Sequence, residues 1–229
     1  MAPDPIQPRE GGGAGHPPPP PAAARRARVA VALCLLALAL MPVTVRAWQQ
    51  ARDERGAPRA FGRRVLRYRA QPSVRVPDLA AALEAAARAW QAPCARLALR
   101  PARPGEPAEI EVRVVPGPAF RWPAHHGAHT ELRGAARGEI LHASITLNGG
   151  QAFARFAEPP WAWLGPPPPL RGDLIDLTGV LVHELGHALG LAHSLRRDAL
   201  MAPGVQPGHR LPRTLSDDDR AGLCALYPR

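Results

Sequence analysis

Three stretches of the chain alternate apolar with polar residues. Val65 to Arg69 alternates with arginine, Ile110, Val112 and Val114 alternate with Glu111 and Arg113, and residues 139–148 place Leu141, Ala143, Ile145 and Leu147 at every second position. A period of two predicts half-buried strands. After Pro77-Asp78 the pattern changes: Leu79, Leu83, Ala86 and Trp90 recur at helical spacing, which predicts a helix N-capped by Asp78 with Trp90 in the core. Two further helices are predicted at about 177–190 and 216–226. Ser216 with Asp219 forms a capping box for the last, and Asp217 and Asp218 suit the positive end of its dipole. Residues 48–60 read as a linker, and 116–138, rich in Gly, Pro and His, as a loop. Residues 158–169 hold Pro159-Pro160 and Pro166–Pro169 around Trp161 and Trp163, which predicts an extended, polyproline-like stretch. Strands early and helices late predict a small α+β domain over 61–229.

The first 47 residues follow a different logic. A polar, low-complexity stretch ends in Arg25, Arg26 and Arg28, and thirteen apolar residues follow from Val29 to Met41. Pro42 ends that run, and Val45-Arg46-Ala47 offers small residues where a signal peptidase reads. Charged flank, short apolar core and small-residue exit predict a secretory signal, hence a secreted or periplasmic protein. The rival is an uncleaved membrane anchor over 29–45. That stretch is at the lower length limit for a span and contains Pro42 and Thr44. Export leaves two cysteines, Cys94 and Cys224. In an oxidising compartment they read as a disulfide, the alternative being two small buried thiols.

Of 229 residues, 29 are basic and all are Arg, giving a net charge of +10. Such charge permits binding to nucleic acid, but no helix-turn-helix, zinc-finger spacing or aromatic-rich RNA motif accompanies it, so no nucleic-acid partner is expected. The length fits one domain, expected to be a monomer.

Chemistry concentrates in Val182-His183-Glu184-Leu185-Gly186-His187-Ala188-Leu189-Gly190-Leu191-Ala192-His193-Ser194. His183 and His187, four apart on a helix, project from one face and can fill two tetrahedral positions on zinc. Gly190 lies where the helix would end and tolerates the left-handed turn that returns the chain. His193 then supplies the third ligand. Three neutral imidazoles leave the ion its full charge, which acidifies a bound water, and Glu184 beside the first ligand is placed to accept its proton.

This spacing resembles that of the metzincin zinc peptidases, with Met201 in Ala199-Leu200-Met201-Ala202-Pro203 where their Met-turn belongs. Ser194 after the third histidine, and the C-terminal Leu215 to Tyr227, resemble the matrixin branch. The resemblance is strong over 176–227 and looser from 61. It implies a twisted mixed sheet packed on three helices, a zinc endopeptidase acting on protein or peptide, and a cleft along the sheet's edge strand, assigned here to residues 139–148. Calcium is a second candidate cofactor on the same ground.

The chain also departs from the pattern. Residues 48–60 carry no cysteine that could ligate the zinc and hold the enzyme latent. A second, structural zinc would have to draw on His125, His126, His129 and His142, with no Asp in 116–138. The aromatic residue often found after the Met-turn is missing from Ala202-Pro203-Gly204-Val205. Two other readings stay open: a catalytically inactive metzincin-like protein that binds zinc or a partner, and a metal-dependent amidase acting on cell-wall peptide.

Overall fold

A computed structural model of the chain describes residues 47–92, 94–156, 172–204, 208–211 and 213–228. The targeting segment before Ala47 and the proline-rich stretch 158–169 lie outside the described residues. In chain order the strands are β1 (Gln49–Gln50), β2 (Ala60–Phe61), β3 (Val65–Ala70), β4 (Ala98–Pro101), β5 (Ile110–Val115), β6 (Ala128–Gly134), β7 (Glu139–Asn148), β8 (Phe153–Ala154), β9 (Ile175–Asp176) and β10 (Leu191–Ala192). The helices are α1 (Leu79–Ala89), α2 (Leu177–Ala188) and α3 (Asp217–Leu226). The main sheet runs β2-β7-β5-β3-β4 in parallel, and β6 pairs antiparallel with β7. A mixed sheet with three helices is the α+β architecture expected from the sequence.

The core forms where the alternating strand faces meet the helices. Leu66, Tyr68, Ile110, Val112, Ala143, Ile145 and Leu147 from the sheet share one apolar cluster with Leu79, Leu83 and Ala86 of α1 and Leu181, Val182 and Leu185 of α2. Burying each large side chain contributes about 1.5–3 kcal/mol. Trp90 is fully buried just past α1, and its indole Nε1 donates to the Val182 carbonyl at 2.6 Å, tying α1 to α2. No helix among the described residues is long and apolar enough to cross a membrane.

Several expectations need correction. Leu141 is 56% exposed, whereas Ile140 is buried. Arg133 pairs with His142 and Gly134 with Ile140, so Leu141 is the extra residue of a bulge, and the alternation shifts by one. The presumed loop 116–138 contains β6. Asp78 does precede α1, but its side chain makes no capping bond. Residues 48–60 are not a free linker: β1 pairs antiparallel with β10, and the backbone amides of Ala47 and Trp48 donate to Asp218 Oδ1 at 3.1 and 2.9 Å. These contacts use backbone groups, which leave no apolar pattern in the sequence.

On the sheet's outer side Glu109 is buried against Arg67. Its Oε2 accepts from the Arg67 backbone amide at 2.8 Å and from Nε at 3.0 Å, and its Oε1 accepts from Arg67 Nη2. The Arg67 hydrogen bonds hold this carboxyl down to about 2, against an ordinary 4.5. The unfolded chain therefore takes up the proton at higher pH, so this stabilisation is present above about pH 5 and fades as pH falls through 4.5 towards 2. We expect Glu109→Gln to lower unfolding free energy by about 3 kcal/mol at pH 7, since it leaves a half-buried guanidinium unpaired. The difference from wild type should shrink below pH 4 in denaturant melts.

Cys94, just past α1, lies against Cys224 in α3, with Cα atoms 5.6 Å apart, within disulfide reach, and 130 positions apart in sequence. A disulfide closing so long a loop would stabilise the fold by up to about 5 kcal/mol in the chain-entropy picture.

Candidate metal centre and cleft

Eleven of the twelve residues of α2 are buried, so the helix is a core element rather than an amphipathic surface one. Asp176 caps it, accepting from the Gly179 amide at 3.3 Å, and the buried Asp176 carboxylate pairs with Arg213 at 2.8 Å. His183 and His187 lie one turn apart on its cleft-facing side. The helix stops at Gly190, whose φ of +99° lies in the region that favours glycine. A Cβ there would strike the Arg59 carbonyl, so the tight reversal also requires the missing side chain. The chain then runs through β10 and brings His193 back to the other two.

The imidazoles are held from behind. His183 Nδ1 lies 2.9 Å from the Leu200 carbonyl oxygen and His187 Nδ1 lies 2.8 Å from that of Leu191. A carbonyl only accepts, so each Nδ1 carries a proton and each Nε2 presents a lone pair. Burial is the main cause that holds both imidazoles down to about 4, which keeps them neutral at pH 7. Yet His187 Nε2 lies 3.1 Å from His183 Nε2 and 3.2 Å from His193 Nε2. Lone pairs facing at that distance repel unless a cation lies between them. Tetrahedral zinc with Zn–N bonds of about 2.0–2.1 Å spaces its nitrogens by roughly 3.3 Å, so the arrangement fits zinc. Among the described residues these three form the only cluster of metal-ligand side chains.

The histidines that a second metal would have to draw on do not converge. His129 stacks on Trp122 with centroids 4.4 Å apart, His125 and His126 pack edge to face, and His142 lies 3.9 Å from Glu111.

A cleft of about 630 Å³ opens over the histidines, walled on one side by α2 and on the other by β6 through Ala128, Thr130 and Leu132. Here the expected substrate strand must be corrected. β7 is internal, paired to β5 on one side and to β2 and β6 on the other, whereas β6 has β7 as its only partner among the described residues. The free edge beside the cleft is therefore β6. Its sequence, Ala-His-Thr-Glu-Leu-Arg-Gly, lacks apolar alternation because it is buried on neither face, and so it reads as loop.

Glu184 is buried, 7% exposed, and its Oε2 accepts from the Thr130 hydroxyl at 2.5 Å. Beneath the histidines lies Met201, 2% exposed, whose carbonyl accepts from the Ser194 amide at 2.8 Å. A Cβ on Gly186 would collide with the Met201 sulfur and approach the Trp90 ring, so glycine there lets the turn seat under the helix.

Sequence reasoning missed two functional supports. Asp218 Oδ2 accepts from the Ser194 hydroxyl at 2.6 Å, fixing the residue that follows the third histidine. Asp219 accepts from the Leu200 and Met201 amides at 2.8 and 3.0 Å, while also completing the capping box with Ser216. Leu200 in turn orients His183 through its carbonyl. The acidic run had a complete local explanation as a helix start, and no local pattern reveals the second use.

Compared with known proteins, residues 64–228 match the matrixin family model. Matrix metalloproteinase-2 of Drosophila melanogaster is 39% identical over 92 residues, covering 39% of this chain and 12% of that protein. Metalloendoproteinase 5-MMP of Arabidopsis thaliana is 46% identical over 54 residues, 24% of this chain and 15% of that protein. Human matrix metalloproteinase-19 is 51% identical over 53 residues, 23% of this chain and 10% of that protein. The chain thus aligns with about a sixth or less of the length of these relatives. The family model, by contrast, covers the main sheet except β2, all three helices and the three-histidine turn, and on that match the chain belongs to the matrixin family.

Proposed function

We propose that this chain is a secreted zinc endopeptidase. The observation that carries the reading is the convergence of three Nε2 lone pairs at 3.1 and 3.2 Å beside a buried carboxylate in an open cleft. His183, His187 and His193 would hold the ion. Zinc in such a site supplies Lewis acidity, polarising a scissile carbonyl and acidifying water. Glu184 takes the proton as water adds to the carbonyl carbon and delivers it to the departing amine as the C–N bond breaks. The free edge of β6 receives an extended peptide by added main-chain pairing, which aligns its carbonyl with the histidines. Residues 1–47 direct export, and a disulfide between Cys94 and Cys224 suits that destination. The purified, exported protein, denatured without reductant, should then take up no thiol label, whereas two labelled thiols per chain would contradict the oxidised state.

The functional test is incubation with a denatured protein, with and without a chelator. Cleavage that the chelator stops and added zinc restores supports the reading. Intact substrate under both conditions favours a non-catalytic zinc-binding protein instead, and cleavage confined to cell-wall peptide favours an amidase.

A further inference from the structure

Thr130 sits on the free edge strand, opposite α2, in the wall of the cleft. Its hydroxyl lies 2.5 Å from Glu184 Oε2 and 3.2 Å from the Glu184 backbone carbonyl. Both acceptors belong to the same residue, and the shorter bond goes to the charged one. Among the described residues Glu184 Oε1 accepts no hydrogen bond. The two carboxylate oxygens are therefore unequal: one is held by the strand, and the other is left for a proton from water.

We infer that Thr130 is a positioning residue that fixes the Glu184 carboxylate so that Oε1 faces the reacting water. The inference rests on the endopeptidase reading for its consequence in turnover, but not for its geometry. A glutamate on a buried helix still has three rotatable side-chain bonds, and packing alone restrains the terminal one weakly, because that torsion is broad. A hydrogen bond to a charged acceptor is short and directional, and it removes that freedom before substrate arrives. The strand that aligns the substrate backbone would thus also align the base.

Valine is the informative replacement, since it keeps the β-branched shape and strand preference of threonine and removes only the hydroxyl. For Thr130→Val we expect kcat about tenfold lower with KM within twofold of wild type, and for Thr130→Ser a return to at least half the wild-type kcat. Zinc content by elemental analysis and the thermal midpoint should stay unchanged in both. A second readout needs no turnover. In crystals of the metal-free protein Glu184 should occupy one rotamer in the wild type and more than one in Thr130→Val. An unchanged or raised kcat, a change confined to KM, or an unmoved Glu184 rotamer would each overturn the inference. A wild-type protein that cleaves nothing would instead sink the endopeptidase reading, and the rotamer comparison would still decide the role of Thr130.

Discussion

Replacing Glu184 by Gln should leave zinc in place and cut kcat by at least ~10²–10⁴-fold, the usual reach of general acid–base assistance. Glutamine keeps the length and the hydrogen bond to Thr130, so the cleft should be undisturbed. It cannot accept the proton from water or return it to the amine, so both halves of the reaction suffer. Zinc retention follows because Glu184 makes no hydrogen bond to the three imidazoles, two of which are held by the Leu200 and Leu191 carbonyls. Elemental analysis and steady-state kinetics on the same preparation give the answer. A variant that keeps more than half the wild-type rate would mean that another group is the base.

Replacing His187 by Ala should abolish both metal retention and cleavage. Its Nε2 is the central nitrogen of the three, within 3.2 Å of both others. Without it His183 and His193 remain, and two imidazoles do not make a catalytic zinc site, for which three protein ligands are the rule. The contrast between the variants is the useful part. Glu184→Gln separates chemistry from binding, whereas His187→Ala removes both, and excess zinc should rescue neither. Full zinc in dialysed His187→Ala protein would refute the ligand assignment.

What the sequence made legible was what local pattern controls. The apolar spacing of Leu79, Leu83, Ala86 and Trp90 announced α1, and the histidine spacing with Gly190 announced both the helix and its reversal. The β6 strand was not legible, because a strand with one free edge and two half-exposed faces has no reason to alternate. Leu141 misled for a related reason: a one-residue bulge reverses which face a side chain meets, and nothing within 139–148 marks it. Thr130, Asp218 and Asp219 act across 54, 24 and 18 to 19 residues respectively, through one or two hydrogen bonds each. Such partners are set by the fold as a whole and leave no spacing to read.

The paired carboxylates at the start of α3 also bear on timing. A chain made from its N-terminus presents His183, His187 and His193 before Asp218 and Asp219 exist. Until those carboxylates arrive, the Ser194 hydroxyl and the Leu200 and Met201 amides lack the acceptors that hold their turns in place. Cys94 likewise waits for Cys224. The histidines should therefore bind metal weakly on a nascent or C-terminally clipped chain and firmly only once residues 216–226 have folded, so α3 acts as a completion check on a centre encoded some thirty residues earlier.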